Sequence, residues 1–297
     1  MRVIPVTAST YRSDGGSMFG PAPKTMWSRK LAPDDRNRIA QHAHVLLIEL
    51  EDGRKGIVDT GCGSAESFTE KQRSIHALGP GWPLIDALRQ HGAAPEEIDF
   101  VILSHLHWDH AGGAGSPSGG EERALTFPNA MHYVHALEWE DATSGTPLLP
   151  KAYPGEVIAP IAKHADSSLH LVTEPSREIA PGIRMIRSGG HTRGHCTIIL
   201  EGDDLAFGPH GSSARSTYPY AVFASDVCPT QHHLRLVFHT AYDTFPLDTR
   251  RWKLAWLPRI ADERALLLFV HDPDVYGATI TADDRHEFVV DDTIPVS

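Results

Sequence analysis

Four side chains able to grip a metal ion crowd into six positions of this sequence: His105, His107, Asp109 and His110, within the run SHLHWDHAGG (104–113). Imidazole and carboxylate are the ligand types that suit zinc, manganese or iron. A lone histidine is usually a satisfied core or surface group, but four ligand-type residues at the end of one apolar run reverse those odds. The preceding FVILS (100–104) reads as a buried strand. Residues two apart at a strand end point the same way, so His105 and His107 can hold one ion. The chain then turns, and Asp109 and His110 can face a second. Gly112 and Gly113 let the backbone pass close to such ions without a clash. The chain carries 19 histidines, more than packing alone requires, while Cys62, Cys196 and Cys228 read as bystanders.

Alternating strands and helices must position these groups. HVLLIEL (44–50), a turn at Glu51-Asp52-Gly53 and KGIVDTG (55–61) read as a hairpin. PLIDALRQHG (83–92) has helical spacing, with proline at its start and glycine at its end. AMHYVHALEWE (130–140) reads as a strand leading into a helix. IRMIRSGG (183–190) and CTIILEG (196–202) read as strands flanking a tight turn that holds His191 and His195. LAF (205–207) and AVFAS (221–225) are further strands, separated by a loop over 208–220. A helix over 248–263 is expected to bend or break near Pro258, and ALLLFVHD (265–272) reads as a buried strand ending at His271. Residues 1–40 read as an initial strand and then an irregular arm. The class is layered α and β, in one domain over 1–297, because no low-complexity linker divides the chain.

Composition narrows the function. A formal net charge of −11 disfavours a nucleic-acid polyanion as substrate. No stretch approaches the roughly 20 apolar residues that cross a bilayer, and the first residues lack the apolar run of a secretory signal. Three cysteines are too few and too odd a number for a disulfide framework, which fits a reducing compartment. The expectation is a cytoplasmic protein without membrane or nucleic-acid partners.

The 104–113 run resembles the H-x-H-x-D-H signature of the metallo-β-lactamase superfamily, and further segments follow in that family's order. VDTG (58–61) resembles its Asp-Thr-Gly turn, with Asp59 in a supporting role. GGHTRGH (189–195) is similar to the segment that supplies a later histidine ligand, by position His195. FASD (223–226) resembles the strand ending in a metal-bridging aspartate, Asp226, and FVHD (269–272) the strand supplying the last histidine, His271. The resemblance implies an αββα sandwich with two divalent ions at one edge. His105, His107 and His195 would hold one ion, Asp109, His110 and His271 the other, with Asp226 between them. Zinc is the first choice; manganese, cobalt and iron suit the same ligands.

DGGSMFGPAPKTMW (14–27), DVCPTQHHLRLVFHTAYDTFP (226–246) and FVHDPDVYGA (269–278) together resemble quorum-quenching lactonases of the YtnP type, which are similar to the N-acyl-homoserine lactonases. That resemblance implies opening of a small-molecule lactone by a metal-bridging hydroxide, with Asp109 shuttling the proton to the leaving oxygen, and a homodimer. It also implies that Met18, Phe19 and Trp27 wall an acyl pocket, although the same residues could instead staple the arm to the core. Many of these lactonases carry a tyrosine three residues after the bridging aspartate; here that position is Pro229. His233 is the candidate to take over its hydrogen bond, against the alternative that it stands away from the site. The 208–220 loop caps the site or is a surface insertion. The alternatives are a β-lactamase, thioesterase or phosphotriesterase on the same scaffold, or a metal-binding protein without catalysis.

Overall fold

A computed structural model of the chain describes residues 1–117, 123–145, 152–202, 205–208 and 218–296. Two seven-stranded sheets face each other. Across the first, the order is Ala206–Phe207, Arg2–Asp14, Arg38–Glu49, Lys55–Val58, Phe100–Ile102, Met131–His135 and Leu169–Val172. Across the second it is Glu287–Pro295, Val275–Asp283, Leu266–Leu268, Tyr220–Phe223, Cys196–Glu201, Ile183–Arg187 and Ser176–Ala180.

The alternation of side chains along each strand builds four layers. In the strand Arg38–Glu49, Leu46 and Ile48 turn inward to meet Ile198, Leu200, Phe223, Leu266 and Leu268 of the facing sheet. Their neighbours Val45 and Leu47 turn outward, to the core that includes Leu84 and Leu88 of the helix Pro83–Gln90 and Val157 and Ile161 of the helix Gly155–Lys163. On the second sheet Ile199, Val222 and Leu267 turn outward to Trp252, Leu257 and Ile260 of the helix Pro246–Asp262. The result is the expected αββα sandwich.

Several elements differ from their expected form, and the helix Gly155–Lys163 answers to none of the expected ones. The helix Pro246–Asp262 runs unbroken through Pro258. The carbonyl that loses its donor there belongs to Leu254, which is 63% exposed, so water can satisfy it. The arm is more regular than expected: Arg2–Asp14 is a thirteen-residue strand paired along Arg38–Glu49, and only the short helical turns Gly15–Phe19 and Lys24–Trp27 follow. The hairpin Val275–Asp283 with Glu287–Pro295 has no counterpart in the sequence reading. It is an edge pair whose outer strand is half exposed and acidic, so its hydrophobic pattern is weak. Most of the 208–220 loop lies outside the described residues. Among the described residues no helix is long and apolar enough to cross a membrane.

Several buried histidines serve the fold. Burial pulls His132 down to about 4, and His44 and His233 down to about 3. All three therefore stay neutral in the folded chain, whereas in the unfolded chain they take up protons below about 6.5. The unfolded state then binds more protons than the folded one, so stability is lost as pH falls from about 6.5 towards about 4. Each such group contributes up to about 1.4 kcal/mol per pH unit in that window. We predict that the urea midpoint, measured with chelator present so that metal loss plays no part, drops between pH 7 and pH 5. A flat midpoint would show that these rings are not held neutral.

Candidate metal centre

Both sheets deliver ligand-type side chains to one end of the sandwich. His105, His107, Asp109 and His110 follow the strand Phe100–Ile102 of the first sheet. From the second, His191 comes from the turn before Cys196–Glu201, Asp226 from the turn after Tyr220–Phe223, and His271 from the loop after Leu266–Leu268. They meet in three overlapping trios: His105, His107 and His191; His105, His110 and Asp226; Asp109, His110 and His271. Within each trio the candidate ligand atoms lie within 4.8 Å of one another. Asp226 touches both sides of the cluster. Its Oδ1 is 3.1 Å from His110 Nε2 and 3.2 Å from His271 Nε2, and its Oδ2 is 3.2 Å from His191 Nε2.

The donor set fits divalent cations. His105 Nε2, His107 Nε2, His110 Nε2 and Asp226 Oδ1 are all buried without a hydrogen-bond partner. Polar atoms in that state are costly, and three of them, on His105, His110 and Asp226, fall in one trio and call for a cation. The charge balance agrees. Burial pushes the Asp226 carboxyl up, but the imidazoles of His110, His271 and His191 more than reverse this and hold it well below the usual range. Burial first, then neighbouring imidazoles, pushes His105 well down and His107 down to about 3, which leaves both neutral as ligation requires.

The expectation for His195 needs correction. Its Nδ1 lies 2.6 Å from Ser188 Oγ and its Nε2 accepts the Asp226 backbone N–H at 3.1 Å, so both nitrogens are engaged outside the trios. His191 takes the expected place. Gly189 and Gly190, at φ of 60° and 86°, fold the turn so that His191 rather than His195 enters the cluster. A side chain at Gly190 would also strike Thr249. Two histidines four apart in one turn look alike in sequence.

Hydrogen bonds behind the ligands fix their ring orientation. His110 Nδ1 donates to Asp59 Oδ2 at 2.9 Å, and Asp59 also accepts from the Ser104 N–H and hydroxyl, which bears out a supporting position for it. His191 Nδ1 donates to Asp243 Oδ1 at 2.9 Å, and Asp243 accepts from Thr240 and Thr249 at 2.7 Å each. His271 Nδ1 donates to the His42 carbonyl at 2.8 Å. Each ring thereby presents its Nε2 to the cluster. Buried Glu138 joins two ligand loops, accepting from the Leu106 N–H, the Tyr153 hydroxyl and the Thr192 hydroxyl. Burial raises its carboxyl despite those donors.

Asp243, Glu138 and Tyr11 were missed in the sequence, where nothing marks them. Tyr11 donates to Asp109 Oδ2 at 2.7 Å from the strand Arg2–Asp14, 98 positions away in the chain.

The residues proposed from the lactonase resemblance divide. Met18 lines the cavity over the cluster. Phe19 and Trp27 do not: they are fully buried and stack at 5.7 Å in a small core with Leu31, Ile39 and Phe238, so they staple the arm. His233 is also corrected. Its Nδ1 contacts Thr230 Oγ1 at 2.8 Å, its Nε2 the Met18 carbonyl at 2.8 Å, and its face stacks on Phe19 at 4.6 Å. No donor is left for a substrate. Cys62, Cys196 and Cys228 are buried, unpaired and outside the trios.

A cavity of about 510 Å³ opens over the cluster. Its floor is His107, Asp109, His191, Asp226 and His271, and its walls are Ser13, Met18, His76, Trp108, Ala152 and Tyr242.

Residues 39–208, more than half of the chain, match the family described as the metallo-beta-lactamase superfamily. An N-acyl homoserine lactonase from a Bacillus species is 30% identical over 164 residues, which is 52% of this chain and 56% of that protein. The chain thus matches little more than half the length of that relative. The crystal structure of a probable metal-dependent hydrolase from Staphylococcus aureus superposes with a TM-score of 0.84 at 28% identity, covering 99% of this chain and 96% of that one. AidC, a dizinc quorum-quenching lactonase solved with N-hexanoyl-L-homoserine as product, shares the fold with a TM-score of 0.71 at 18% identity, over 99% and 93% of the two chains.

The ligand assignment has a direct test. We predict that His191→Ala loses at least one bound ion, read by elemental analysis after gel filtration, while His195→Gln keeps the wild-type stoichiometry. Asp243→Asn should weaken metal affinity by roughly ten- to hundredfold, as loss of a carboxylate behind a ligating histidine commonly does. The reverse pattern for the two histidines would return the ligand role to His195.

Proposed function

The chain belongs to the metallo-β-lactamase superfamily, and from that premise we propose that it is a metal-dependent hydrolase that opens lactone rings, N-acyl homoserine lactones before others. The observation that carries the proposal is the cavity. At about 510 Å³ it suits a small molecule rather than a polymer, and its floor is the ligand cluster itself. Met18, Trp108 and Ala152 offer apolar wall for a short acyl chain, and Ser13 and Tyr242 offer hydrogen bonds near a lactone and amide. The likeness to an N-acyl homoserine lactonase over half the chain supports the same reading.

Two divalent ions, zinc first among them, would supply Lewis-acid polarisation and a water of lowered pKa when bound there. The chain's own groups do the rest. Asp226, reaching both sides of the cluster, holds the two ligand sets at one spacing. Asp109 stands at the cavity floor with Oδ2 fixed by Tyr11, where it can hand a proton to the ring oxygen as that oxygen leaves. Overall a water oxygen joins the carbonyl carbon and the ring C–O bond breaks. One water proton goes to the new hydroxyl, and the acid product releases the other to solvent.

That released proton is the assay. We predict that the metal-loaded protein opens N-acyl homoserine lactones at least about tenfold more efficiently than it hydrolyses a penicillin, a thioester or a phosphotriester, a difference of about 1.4 kcal/mol in barrier. Chelation should abolish the activity, and added zinc, cobalt or manganese should restore it. Preference for the penicillin or the phosphotriester would move the protein to another substrate class of the same scaffold.

A further inference from the structure

We infer that His76 ends the substrate cavity: its ring is a specificity-determining partition, and a side chamber lies behind it. A second cavity of about 100 Å³ lies beside the first, and His76 and Trp108 border both. Phe68, Gln72, Arg123 and Val157 are among its other walls. The His76 and Trp108 rings meet at 4.8 Å and 46°, so together they form the wall between the two spaces.

The two halves of that wall are not equally replaceable. Trp108 sits between His107 and Asp109 in the chain and is wedged edge-on between Tyr11 at 5.3 Å and Phe68 at 5.7 Å. A change there acts directly beside two members of the ligand cluster. His76 ends the helix Glu70–His76, which has no buried residue. That helix is held from outside, by Arg36 donating to the Ser74 carbonyl and Arg38 to those of Ser74 and Ile75. One half of the partition therefore belongs to the metal-ligand loop, and the other to the tip of a peripheral helix.

The consequence concerns how long a chain the site accepts. At about 30 Å³ for each water-sized group, the side chamber has room for roughly three more chain atoms. Each methylene moved from water to apolar surroundings favours binding by about fourfold. Ser67, Gln72, Arg123 and Glu156 make the chamber partly polar, so three methylenes should add about tenfold in total rather than the full product. The inference rests on the lactonase reading only in taking the chain to be an acyl tail; the partition itself does not depend on which head group reacts.

The test uses straight-chain alkanoates, from butanoate to dodecanoate, whose carboxylate can seat on the ligand floor whatever the enzyme hydrolyses. Their affinity for the metal-loaded protein is measured by calorimetry for wild type, His76→Ala and His76→Phe. In wild type the affinity should rise with length and level off once the main cavity is full. In His76→Ala levelling should come about three carbons later, with the longest chains bound about tenfold more tightly and butanoate unchanged. His76→Phe keeps a ring against Trp108 and should keep the wild-type end-point. The same end-point in wild type and His76→Ala would overturn the partition, and so would a shift in His76→Phe equal to that in His76→Ala. Lactone kinetics on the same proteins separate the two ideas. A protein that opens no lactone yet shows the alkanoate shift refutes the lactonase reading and supports the partition.

Discussion

Burying two imidazole nitrogens and a carboxylate oxygen that face one another, on His105, His110 and Asp226, with no hydrogen bond to any of them, is the condition on which the rest of this structure depends. Each of these atoms gave up water on folding and found no protein partner. Only a cation can make that arrangement favourable, and only if the groups cannot turn away from it. The orientation is fixed from behind, where Asp59, Asp243 and the His42 carbonyl each take the Nδ1 proton of one ring. Those acceptors lie on separate parts of the chain, so the cluster exists only once both sheets have packed. Strain gathers at the same place. Asp59 and Ser225 adopt left-handed φ values of 57° and 50°, unusual for residues other than glycine, beside His110 and Asp226 respectively. The Ser104 and Ser225 hydroxyls, 2.9 Å apart, link the two strained turns across the interface between the sheets.

How much of this was legible in sequence follows from whether each feature is local. The layers were legible because the inner strands are short continuous apolar runs, as in Val45 to Ile48, which must be covered on both faces. The cluster's first four members were legible because one strand end supplies them all. His195 was misread because the choice between it and His191 depends on a left-handed turn packed against Thr249, which lies more than fifty positions further on. Asp243, Glu138 and Tyr11 act through contacts 52, 32 and 98 positions distant, and a lone polar residue carries no sign of such a partner. Phe19, Trp27 and His233 were misread for a related reason. An aromatic residue in an irregular segment has the same composition whether it lines a pocket or closes a small core. Here stacking of Phe19 on both Trp27 and His233 decides for the core.

That small core has a part in the site all the same. The His233 ring holds the Met18 carbonyl, and Met18 is the arm residue that reaches the cavity wall. The Ala241 N–H donates to the Ser17 carbonyl at 2.8 Å, which ties the arm to the segment carrying Tyr242, another wall residue. Buried Lys253 anchors the same region by donating to the carbonyls of His233, Arg235 and Phe238. A residue can therefore matter to the cavity without facing it. Replacing His233 would reach a substrate only through the position of Met18, with binding affected before the chemical step.

Cage and wall are built on different principles, and that difference bears on how such a scaffold serves several substrates. The ligands emerge at strand ends and are held by buried hydrogen bonds; His105, His110, His191 and His271 are almost wholly excluded from solvent. The wall is assembled from what lies outside the sandwich: the end of the first strand at Ser13, the arm at Met18, a helix tip at His76 and a loop at Tyr242, itself 44% exposed. A change in the cage removes a partner from a buried polar atom, which is costly wherever it occurs. A change in the wall alters the shape of a water-facing surface and leaves the cage hydrogen bonds intact. Substrate range can therefore vary at these wall positions while the metal centre stays fixed.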